Sequence, residues 1–203
     1  MYIPALNKFD DQLEAVSFMQ RYSFATIVTV KHGVPAATHL PFIVTQKDGN
    51  IVLKSHFAKA NPQSSDIINS RVLVIFTEPH AYISPKHYEK EESVPTWNYL
   101  AVHAYGNGIL LDSEADKTAL LKESIECFDA GYLNQWDGLP NAFKQNTMKG
   151  IVAFEITVDD LQAKKKLSQN RSEKERENII GELKNSVASN EKDIADYMSS
   201  LKL

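Results

Sequence analysis

The chain has 203 residues, of which 43% are hydrophobic and 24% are charged, and its formal net charge is -4 at pH 7. These values are ordinary for a globular protein with one substantial core, and the negative charge argues against broad electrostatic binding to DNA. No apolar run approaches the roughly 18 residues of a membrane span. The chain also begins without a charged-then-apolar leader, so we expect a cytoplasmic protein with no membrane partner.

Six segments rich in β-branched and aromatic residues predict strands. The second and third form a hairpin, because Asp48-Gly49 between them supplies a turn that needs positive φ. Strands that are mostly linked by hairpins favour a closed or nearly closed antiparallel barrel over a doubly wound sheet. The predicted strands are residues 24–30, 36–44, 51–55, 72–77, 97–105 and 151–158.

Helices are predicted at both ends of the chain and once between strands, at residues 11–21, 113–128 and from 172 onward. Pairs of residues at capping-box spacing mark three helix starts. These pairs are Asp11 with Glu14, Ser113 with Asp116, and Ser172 with Glu175. A further short helix begins near Asn190, so the C-terminal pair invites comparison with a helix-turn-helix. Both helices carry many acids, whereas a recognition helix exposes basic or amide side chains, and we expect no DNA reading by them.

The segment from residue 94 to 106 carries more hydrogen-bonding chemistry than a strand needs to fill a core. It reads Val-Pro-Thr-Trp-Asn-Tyr-Leu-Ala-Val-His-Ala-Tyr-Gly and holds an indole, a carboxamide, an imidazole and two phenols. Such a surface suits a planar, partly polar ligand. A half-buried strand whose aromatic residues keep their polar ends at the surface explains the pattern equally well. This segment alone leaves both interpretations open.

Several common chemistries are excluded by residue spacing. Leu111 stands where a dinucleotide fingerprint beginning at Gly106 needs glycine, and no Walker-type loop occurs. The six histidines lie far apart without a His-x-x-x-His pair, which predicts no metal site. Ser84 lacks the flanking glycines of a nucleophile elbow and is followed by Pro85, which disfavours a hydrolase. Cys127 is the single cysteine, which excludes an internal disulfide, and we expect it to be buried in a helix.

Four polar-aromatic segments occur in a fixed order along the chain. They are Ala37-Thr38-His39-Leu40-Pro41-Phe42; Ser55-His56-Phe57-Ala58-Lys59-Ala60-Asn61-Pro62-Gln63; Pro79-His80-Ala81-Tyr82-Ile83-Ser84-Pro85 followed by residues 94–99; and Lys166-Leu167-Ser168-Gln169-Asn170-Arg171. This succession closely resembles the PaiB family of FMN-binding split-barrel proteins. The resemblance extends over nearly the whole chain, from Tyr2-Ile3-Pro4 to the final helices.

The resemblance implies a mainly β fold, a six-stranded antiparallel Greek-key split barrel with C-terminal helices. It implies a homodimer with FMN at two interface sites, to each of which both subunits contribute. We expect residues 1–163 to form the FMN-binding domain. Residues 164–203 would then form a basic turn and a helical extension packed on that domain.

The resemblance also implies a set of cofactor-binding residues. These are Thr38, His39, Leu40, Ser55, His56, Lys59, Asn61, Gln63, Trp97, Asn98, Lys166, Ser168 and Gln169. A phosphate dianion needs charge-assisted donors, and in the absence of a glycine loop these must come from side chains and strand-end amides. The donors cluster where a strand pair ends, which fits that need.

Lys59 is the first choice for a phosphate ligand, and a solvated loop lysine is its alternative. His39 and Leu40 would present backbone groups to the edge of the isoalloxazine ring, although His39 fits a core histidine equally well. The chain departs from the family pattern at two positions. Ser55 replaces a usual glycine, and Ser64 replaces a usual aromatic residue, which would leave the cofactor pocket more open.

The third and fourth segments supply the remaining predicted contacts. Trp97 would pack on the flavin ring and Asn98 would bind it through the amide, while a dimer-interface anchor is the alternative for Trp97. Lys166, Ser168 and Gln169 would reach the flavin from a partner subunit. An ordinary solvated turn is the alternative for that basic segment.

Function is less determined than fold, and no catalytic residue is assigned. A transcriptional or negative regulator of the PaiB type, or a flavin-linked redox protein, is the first hypothesis. A flavin-dependent oxidoreductase is the second, with His39, His103 and Tyr105 as candidate proton donors. Haem binding or haem degradation is the third. DNA binding by the dimer rests on the family label alone and has no support in the charge.

Overall fold

The structure, a computed structural model, describes residues 1–201 and divides into two compact units. Unit 1 consists of residues 1–15, 77–102 and the C-terminal segment from residue 162. Unit 2 consists of residues 16–76 and 103–161. The predicted boundary between residues 163 and 164 stays a prediction, and the last two residues of the predicted extension lie outside the described part.

Within residues 1–201 the chain forms seven strands, six α-helices and four short 3-10 helices. The strands are β1 (Phe24–Lys31), β2 (Val34–Pro41), β3 (Ile43–Lys47), β4 (Asn50–Ala58), β5 (Arg71–Ile83), β6 (Thr96–Leu110) and β7 (Ile151–Lys166). The helices are α1 (Gln12–Arg21), α2 (Glu114–Phe128), α3 (Leu133–Gly138), α4 (Asn141–Met148), α5 (Glu173–Lys184) and α6 (Ser189–Ser199). The 3-10 helices are Ala5–Asn7, Pro62–Ser65, Pro85–His87 and Ala130–Tyr132.

The seven strands form one sheet in the order β2-β1-β5-β6-β7-β4-β3. The pairs β1–β2, β1–β5, β3–β4 and β4–β7 are antiparallel. Strands β2 and β3 follow each other in the chain yet lie at opposite ends of this order, as expected when a sheet curls into a barrel. The predicted mainly β, antiparallel split-barrel fold with C-terminal helices is confirmed.

The number of strands differs from the prediction because the run at residues 36–44 is two strands. Phe42 separates them, and its backbone N–H donates to the Ser23 carbonyl at 2.9 Å. Phe42, Ile43 and Val44 are buried one after another. A single strand sends successive side chains to opposite faces, so three consecutive buried positions mark the point where the chain changes direction.

The predicted β3–β4 hairpin is confirmed by its turn. Asp48 and Gly49 both have positive φ, at 51° and 81°, which is the backbone of the two-residue turn that suits twisted strands.

Gly106 in β6 allows a close approach to the neighbouring strand β7. A Cβ there would lie 2.2 Å from the Thr157 carbonyl oxygen of β7, so the strands can approach this closely only at glycine.

The core of unit 2 is built on four phenylalanines that are fully buried. Phe154 contacts the Phe57 ring at a centroid distance of 5.0 Å and the Phe42 ring at 6.2 Å, and Phe42 contacts Phe76 at 6.0 Å. Each buried aromatic side chain contributes about 1.5–3 kcal/mol through removal of apolar surface from water. These residues come from β4, β5, β7 and the β2–β3 junction, so they hold the closed part of the sheet together.

The predicted helix starts are confirmed at Ser113 and Ser172, whose side chains accept the expected backbone hydrogen bonds. Cys127 is a correction, because it is exposed. In α2 the buried residue is Leu120, which packs with Ile43 and Ala153, and the last turn of the helix extends into solvent. The sequence analysis missed α3 and α4, which are short. No helix in residues 1–201 has the length and apolar character needed to cross a bilayer.

Candidate functional site

The predicted site residues of unit 2 include three side chains that bond to one another, here called the Thr38 cluster (Thr38, Asn61 and Gln63). The Asn61 amide donates to Thr38 Oγ1 at 3.0 Å, and Thr38 Oγ1 donates to Gln63 Oε1 at 2.6 Å. The Gln63 backbone N–H donates to Asn61 Oδ1 at 2.9 Å. These bonds join β2 to the 3-10 helix that follows β4.

Gln63 links the Thr38 cluster to the backbones of β1 and β2. It is only 3% exposed, and its Nε2 donates to the Ile27 carbonyl at 3.2 Å and the Ala36 carbonyl at 3.1 Å. Since a carboxamide has two N–H donors, both are used by protein groups. The side chain of Gln63 therefore stabilises β1 and β2, and its contact with a cofactor stays a prediction.

Residues at the end of β4 differ in how far they are engaged. Ser55 is buried and its hydroxyl donates to the Pro41 carbonyl at 2.7 Å. His56 is half-buried, and burial lowers its pKa, which favours the neutral imidazole. Lys59 is exposed, and its ammonium has no hydrogen bond or ion pair with any residue in the described range 1–201. Lys59 is thus the group in this region with free positive charge.

His39 lies on the opposite face of β2 from Thr38 and Leu40. Its Nδ1 is 2.8 Å from Thr26 Oγ1, and its ring stacks near Phe24 at 6.3 Å between centroids. The core-histidine alternative fails because His39 is exposed. Strand β2 is at an end of the strand order, so half of its backbone groups point away from β1 and are open to pairing.

In unit 1, Trp97 and Asn98 lie on opposite faces of β6. Trp97 is 52% exposed and forms an aromatic patch with His80 and Tyr82, each at 5.8 Å between centroids. Asn98 is fully buried, and its Oδ1 accepts a hydrogen bond from Ser168 Oγ at 3.1 Å. Trp97 is therefore accessible to a ligand, whereas Asn98 is not and bonds to Ser168; the predicted contacts of both with a flavin stay predictions.

A cavity of about 350 Å³ in unit 1 brings together the other predicted residues. We call it the Lys166 cavity, and its lining is Pro4, Leu6, Asn7, Val94, Pro95, Thr96, Lys166, Ser168, Gln169, Asn170 and Arg171. Lys166 Nζ donates to Thr96 Oγ1. Ser168 is 5% exposed and has a φ of 59°, a left-handed backbone that is uncommon outside glycine. The segment before Trp97 and the segment after β7 therefore form one concave surface.

Gln169 and Arg171 both line this cavity, but only the Gln169 side chain is bonded to the turn after β7. The Gln169 side chain donates to the Lys165 carbonyl at 2.6 Å and accepts from the Leu167 N–H at 2.7 Å, which fixes the turn after β7. Arg171, which the sequence analysis did not single out, lines the cavity beside Lys166. Its position in the fourth polar segment was the available signal, since it is the second cation there.

The donor set fits FMN, which presents a phosphate, a ribityl chain and a flat ring. Unit 2 has the free cation Lys59, and unit 1 has Lys166 and Arg171; each set carries positive charge of the kind that a phosphate dianion needs. The exposed indole of Trp97 offers an apolar face to a ring. The free amide hydrogen of Asn61 is suited to a hydroxyl or carbonyl of the ligand.

Comparisons with known proteins point to the same cofactor. The model of a family described as "Putative FMN-binding domain" matches residues 1–160. The Bacillus subtilis (strain 168) protein named "Protease synthase and sporulation protein PAI 2" is 42% identical over 202 residues, covering 98% of this chain and 96% of that protein. An uncharacterized protein of Emericella nidulans, AN0679, is 31% identical and covers 73% of this chain and 75% of its own length.

Solved structures agree on the fold. The flavocytochrome Anf3 from Azotobacter vinelandii superposes with a TM-score of 0.61 at 14% identity, covering 77% of this chain and 67% of that one. The FAD and heme binding protein from Mycobacterium smegmatis gives 0.59 at 14% identity, covering 78% and 73%. At this level of identity the likeness shows a shared fold alone.

Proposed function

The chain belongs to the PaiB family of FMN-binding split-barrel proteins, and we propose that it is an FMN-binding regulatory or redox protein of that type. The observation that carries the proposal is the 42% identity to the Bacillus subtilis protein across 98% of the chain, which includes all four polar-aromatic segments. The unpaired ammonium of Lys59 is one source of the charge that the phosphate needs, and the two cations of the Lys166 cavity, contributed by a second copy of the chain, would be another. When bound, FMN supplies hydride or electron transfer chemistry.

The proposed contacts of this chain divide by chemistry. Lys59 would attract the phosphate, and Asn61 would donate its free amide hydrogen. On β2, the backbone groups of His39 or of Leu40, whichever point away from β1, would bind polar atoms at the ring edge. The remaining members of the proposed set either pack on the ring or hold these groups in place. They are Thr38, Ser55, His56, Gln63, Trp97, Asn98, Ser168 and Gln169, whereas Lys166 would add positive charge for the phosphate.

We also propose that the protein is a homodimer, with FMN at the interface. One face of β1 is apolar and uncovered, with Phe24 at 70% and Val30 at 52% exposed. Thr26 and Val28 of the same face are opposite Ile75 and Leu73 of β5, which extends the apolar strip. An exposed apolar face of this kind commonly marks a protein interface, and a second copy of the chain would cover it. Lys166, Ser168 and Gln169 would then come from the partner of the subunit that supplies Lys59.

A regulatory role is proposed from the name of the Bacillus relative, which refers to protease synthesis and sporulation. The C-terminal helices are not its DNA reader in this proposal. Helix α5 begins Glu-Lys-Glu-Arg-Glu, and alternating acids would repel phosphates at the surface that a recognition helix presents. A gel-shift with DNA at physiological salt that showed a retarded band, abolished by substitutions in α5, would contradict this part.

The absorbance spectrum of the purified protein after reconstitution with FMN and desalting tests the proposal. We expect a flavin spectrum at about one FMN per chain, with a dimer by light scattering. Substitution Phe24→Asp would place a charge in the proposed interface, so we expect it to give monomers and to release FMN. Protein that shows no flavin absorbance after reconstitution would remove FMN binding from consideration.

A second candidate function is reduction of a small substrate through the flavin. His103 favours it, because its Nδ1 is buried without a hydrogen-bond partner among residues 1–201 and burial lowers its pKa. A neutral imidazole with a free nitrogen is suited to proton transfer. NAD(P)H-driven flavin reduction followed by turnover across a substrate panel would support this function, and a loss of turnover in His103→Gln would assign the residue.

A further inference from the structure

We propose that the Lys166 cavity is a binding site for a phosphate monoester, with Arg171 as its principal ligand and Lys166 as the second. The proposal rests on the proposed FMN binding for one source of that phosphate, the flavin itself. A free phosphorylated metabolite is the other source. Both present the same dianion, and the experiment below separates them.

The charge of the lining distinguishes this cavity from its neighbours. It contains Lys166 and Arg171 and no acidic side chain. Three other cavities are each lined by two lysines and two carboxylates. One of about 490 Å³ has Lys8, Lys165, Asp11 and Glu14; one of about 310 Å³ has Lys122, Lys144, Glu114 and Asp137; and one of about 280 Å³ has Lys117, Lys149, Asp112 and Glu114. Glu175 lies close enough for Arg171 to help lower its pKa, but its carboxylate is not part of this lining, and both of its oxygens accept backbone hydrogen bonds. In a chain with a net charge of -4, a concave surface lined by two cations and no acid suits an anionic ligand.

The guanidinium of Arg171 is held in place but left without acceptors. Its Cζ lies 3.6 Å from the centroid of the Tyr88 ring, a face-on contact that leaves the N–H groups at the edge available. No hydrogen bond or ion pair to these N–H groups is formed within residues 1–201, while the Arg171 backbone N–H donates to the Ser168 carbonyl at 3.0 Å. A planar fork that is fixed by stacking can bind two oxygens of a phosphate at once.

Lys166 and Ser168 complete the site from the turn after β7. The Lys166 ammonium has three donors and uses one of them on Thr96, so two remain for a ligand. Ser168 has a left-handed backbone, and its hydroxyl donates a hydrogen bond to the buried Asn98. A non-glycine residue in this conformation persists only where its surroundings impose it, and such residues concentrate at binding sites.

The segment that carries Tyr88 is fixed from α5, which makes Glu175 a positioning residue. Glu175 is 7% exposed, and its Oε1 accepts from the Glu89 backbone N–H at 3.0 Å. Its Oε2 accepts from the Ser172 backbone N–H at 3.2 Å, which completes the helix cap. The ring that orients Arg171 is therefore anchored one residue away by a carboxylate at the start of α5.

The experiment measures binding of inorganic phosphate by calorimetry, and of FMN and riboflavin by fluorescence, on full-length protein at constant ionic strength. Arg171→Gln should weaken phosphate binding at least about tenfold, the effect of losing a charged bidentate contact. Lys192→Gln, which removes an exposed cation on α6, is the matched control and should bind phosphate as the wild type does. Tyr88→Leu should weaken binding severalfold, and Tyr88→Phe, which keeps the ring, should restore it.

Comparison of the two flavins identifies the source of the phosphate. If Arg171→Gln lowers FMN affinity about tenfold and leaves riboflavin affinity unchanged, the cavity holds the flavin phosphate. If FMN affinity is unchanged while inorganic phosphate binding is lost, the cavity holds a separate phosphorylated ligand, and the proposal also stands. If the wild-type protein binds no flavin, the proposed FMN-binding function is wrong. The titration with inorganic phosphate would still show whether the Lys166 cavity binds phosphate. Equal phosphate binding by wild type and Arg171→Gln, with the same preference for FMN over riboflavin, would overturn the proposal. Arg171→Lys serves if the glutamine variant unfolds, since it keeps the charge and loses the fork.

Discussion

The Thr38 cluster of unit 2 and the Lys166 cavity of unit 1 contain similar residue types but use them differently. In the cluster, the amides and the hydroxyl are engaged by one another or by backbone carbonyls. At the cavity, the Arg171 guanidinium has no hydrogen-bond acceptor among residues 1–201, and the Lys166 ammonium uses one of its three donors, on Thr96. Polar residues of a motif therefore divide into those that hold the backbone and those that are free for a ligand, and hydrogen-bond partners distinguish the two groups.

The largest expected effect is on stability, from Gln63→Ala. This substitution removes the partner of the buried Ile27 carbonyl and of two partly buried groups, the Ala36 carbonyl and the Thr38 hydroxyl. An unsatisfied buried group costs about 1–3 kcal/mol, and a partly buried group costs less. We expect the free energy of unfolding in urea to fall by roughly 3 kcal/mol or more. Gln169→Ala is the control, because its bonds are confined to one turn. An equal loss of unfolding free energy in both variants would show that Gln63 does not stabilise the fold more than Gln169 does.

Asn98→Ala tests whether the buried amide supports the Lys166 cavity. Loss of the bond to Ser168 should lower the free energy of unfolding by about 1–2 kcal/mol and should release Ser168 from its left-handed backbone. We therefore expect weaker inorganic phosphate binding in this variant as well as lower stability. Trp97→Ala, on the exposed face of the same strand, should leave stability within about 0.5 kcal/mol of the wild type. If folded Asn98→Ala binds phosphate as the wild type does, the Asn98 amide is not needed for binding in the Lys166 cavity.

Lys59→Gln should affect the ligand and spare the fold. The ammonium has no protein partner among the described residues, so the urea midpoint should be unchanged. If Lys59 contacts the flavin phosphate, FMN affinity should fall about tenfold, which corresponds to 1.4 kcal/mol, and its dependence on salt should weaken. Lys47→Gln, on the exposed end of β3, is the control for loss of charge. Full FMN affinity in the Lys59 variant would leave the lysine as a solvated loop residue.

Acid should destabilise the protein in two different pH ranges, one through His56 in unit 2 and one through Glu175 in unit 1. Burial lowers the pKa of His56, so the unfolded chain takes up a proton near 6.5 before the folded protein does, and stability falls as the pH drops below that value. Hydrogen bonds from the Glu89 and Ser172 backbones lower the pKa of Glu175. Its contribution is complete at neutral pH and is lost only below about 4.5, the ordinary carboxyl value.

We expect these effects of pH on stability to be the smallest of the predicted changes. Urea unfolding at pH values between 7 and 3 measures them. His56→Gln should flatten the profile between pH 6.5 and 5, in part only, because the lowered pKa values of His87 and His103 act in the same direction. Glu175→Gln should flatten it below pH 4.5. A profile that both variants leave unchanged would show that these groups are not the source of acid sensitivity.

Much of the local structure was predictable because it depends on neighbours in the chain. The Asp48-Gly49 turn and the caps at Ser113 and Ser172 follow from backbone preferences over three or four residues. The break at Phe42 was missed because β-branched and aromatic residues continue through it, and only the burial of three successive side chains reveals it. Helices α3 and α4 were missed because each is too short for a clear apolar period.

The sequence by itself determined where the strands lie, apart from the break at Phe42, and the order of the four polar-aromatic segments. Through their resemblance to one family it also determined FMN as the cofactor. It did not determine which of those polar residues are free. Gln63 and Gln169 are alike in the sequence as candidate ligands, yet tertiary structure engages both amides with backbone carbonyls. Arg171 received no role from its position in the chain, and tertiary structure stacks its guanidinium on the Tyr88 ring beside a cavity that no acidic side chain lines. The reason is physical: the partners of the Gln63 and Lys166 side chains are distant in sequence, and only the folded chain brings them within reach.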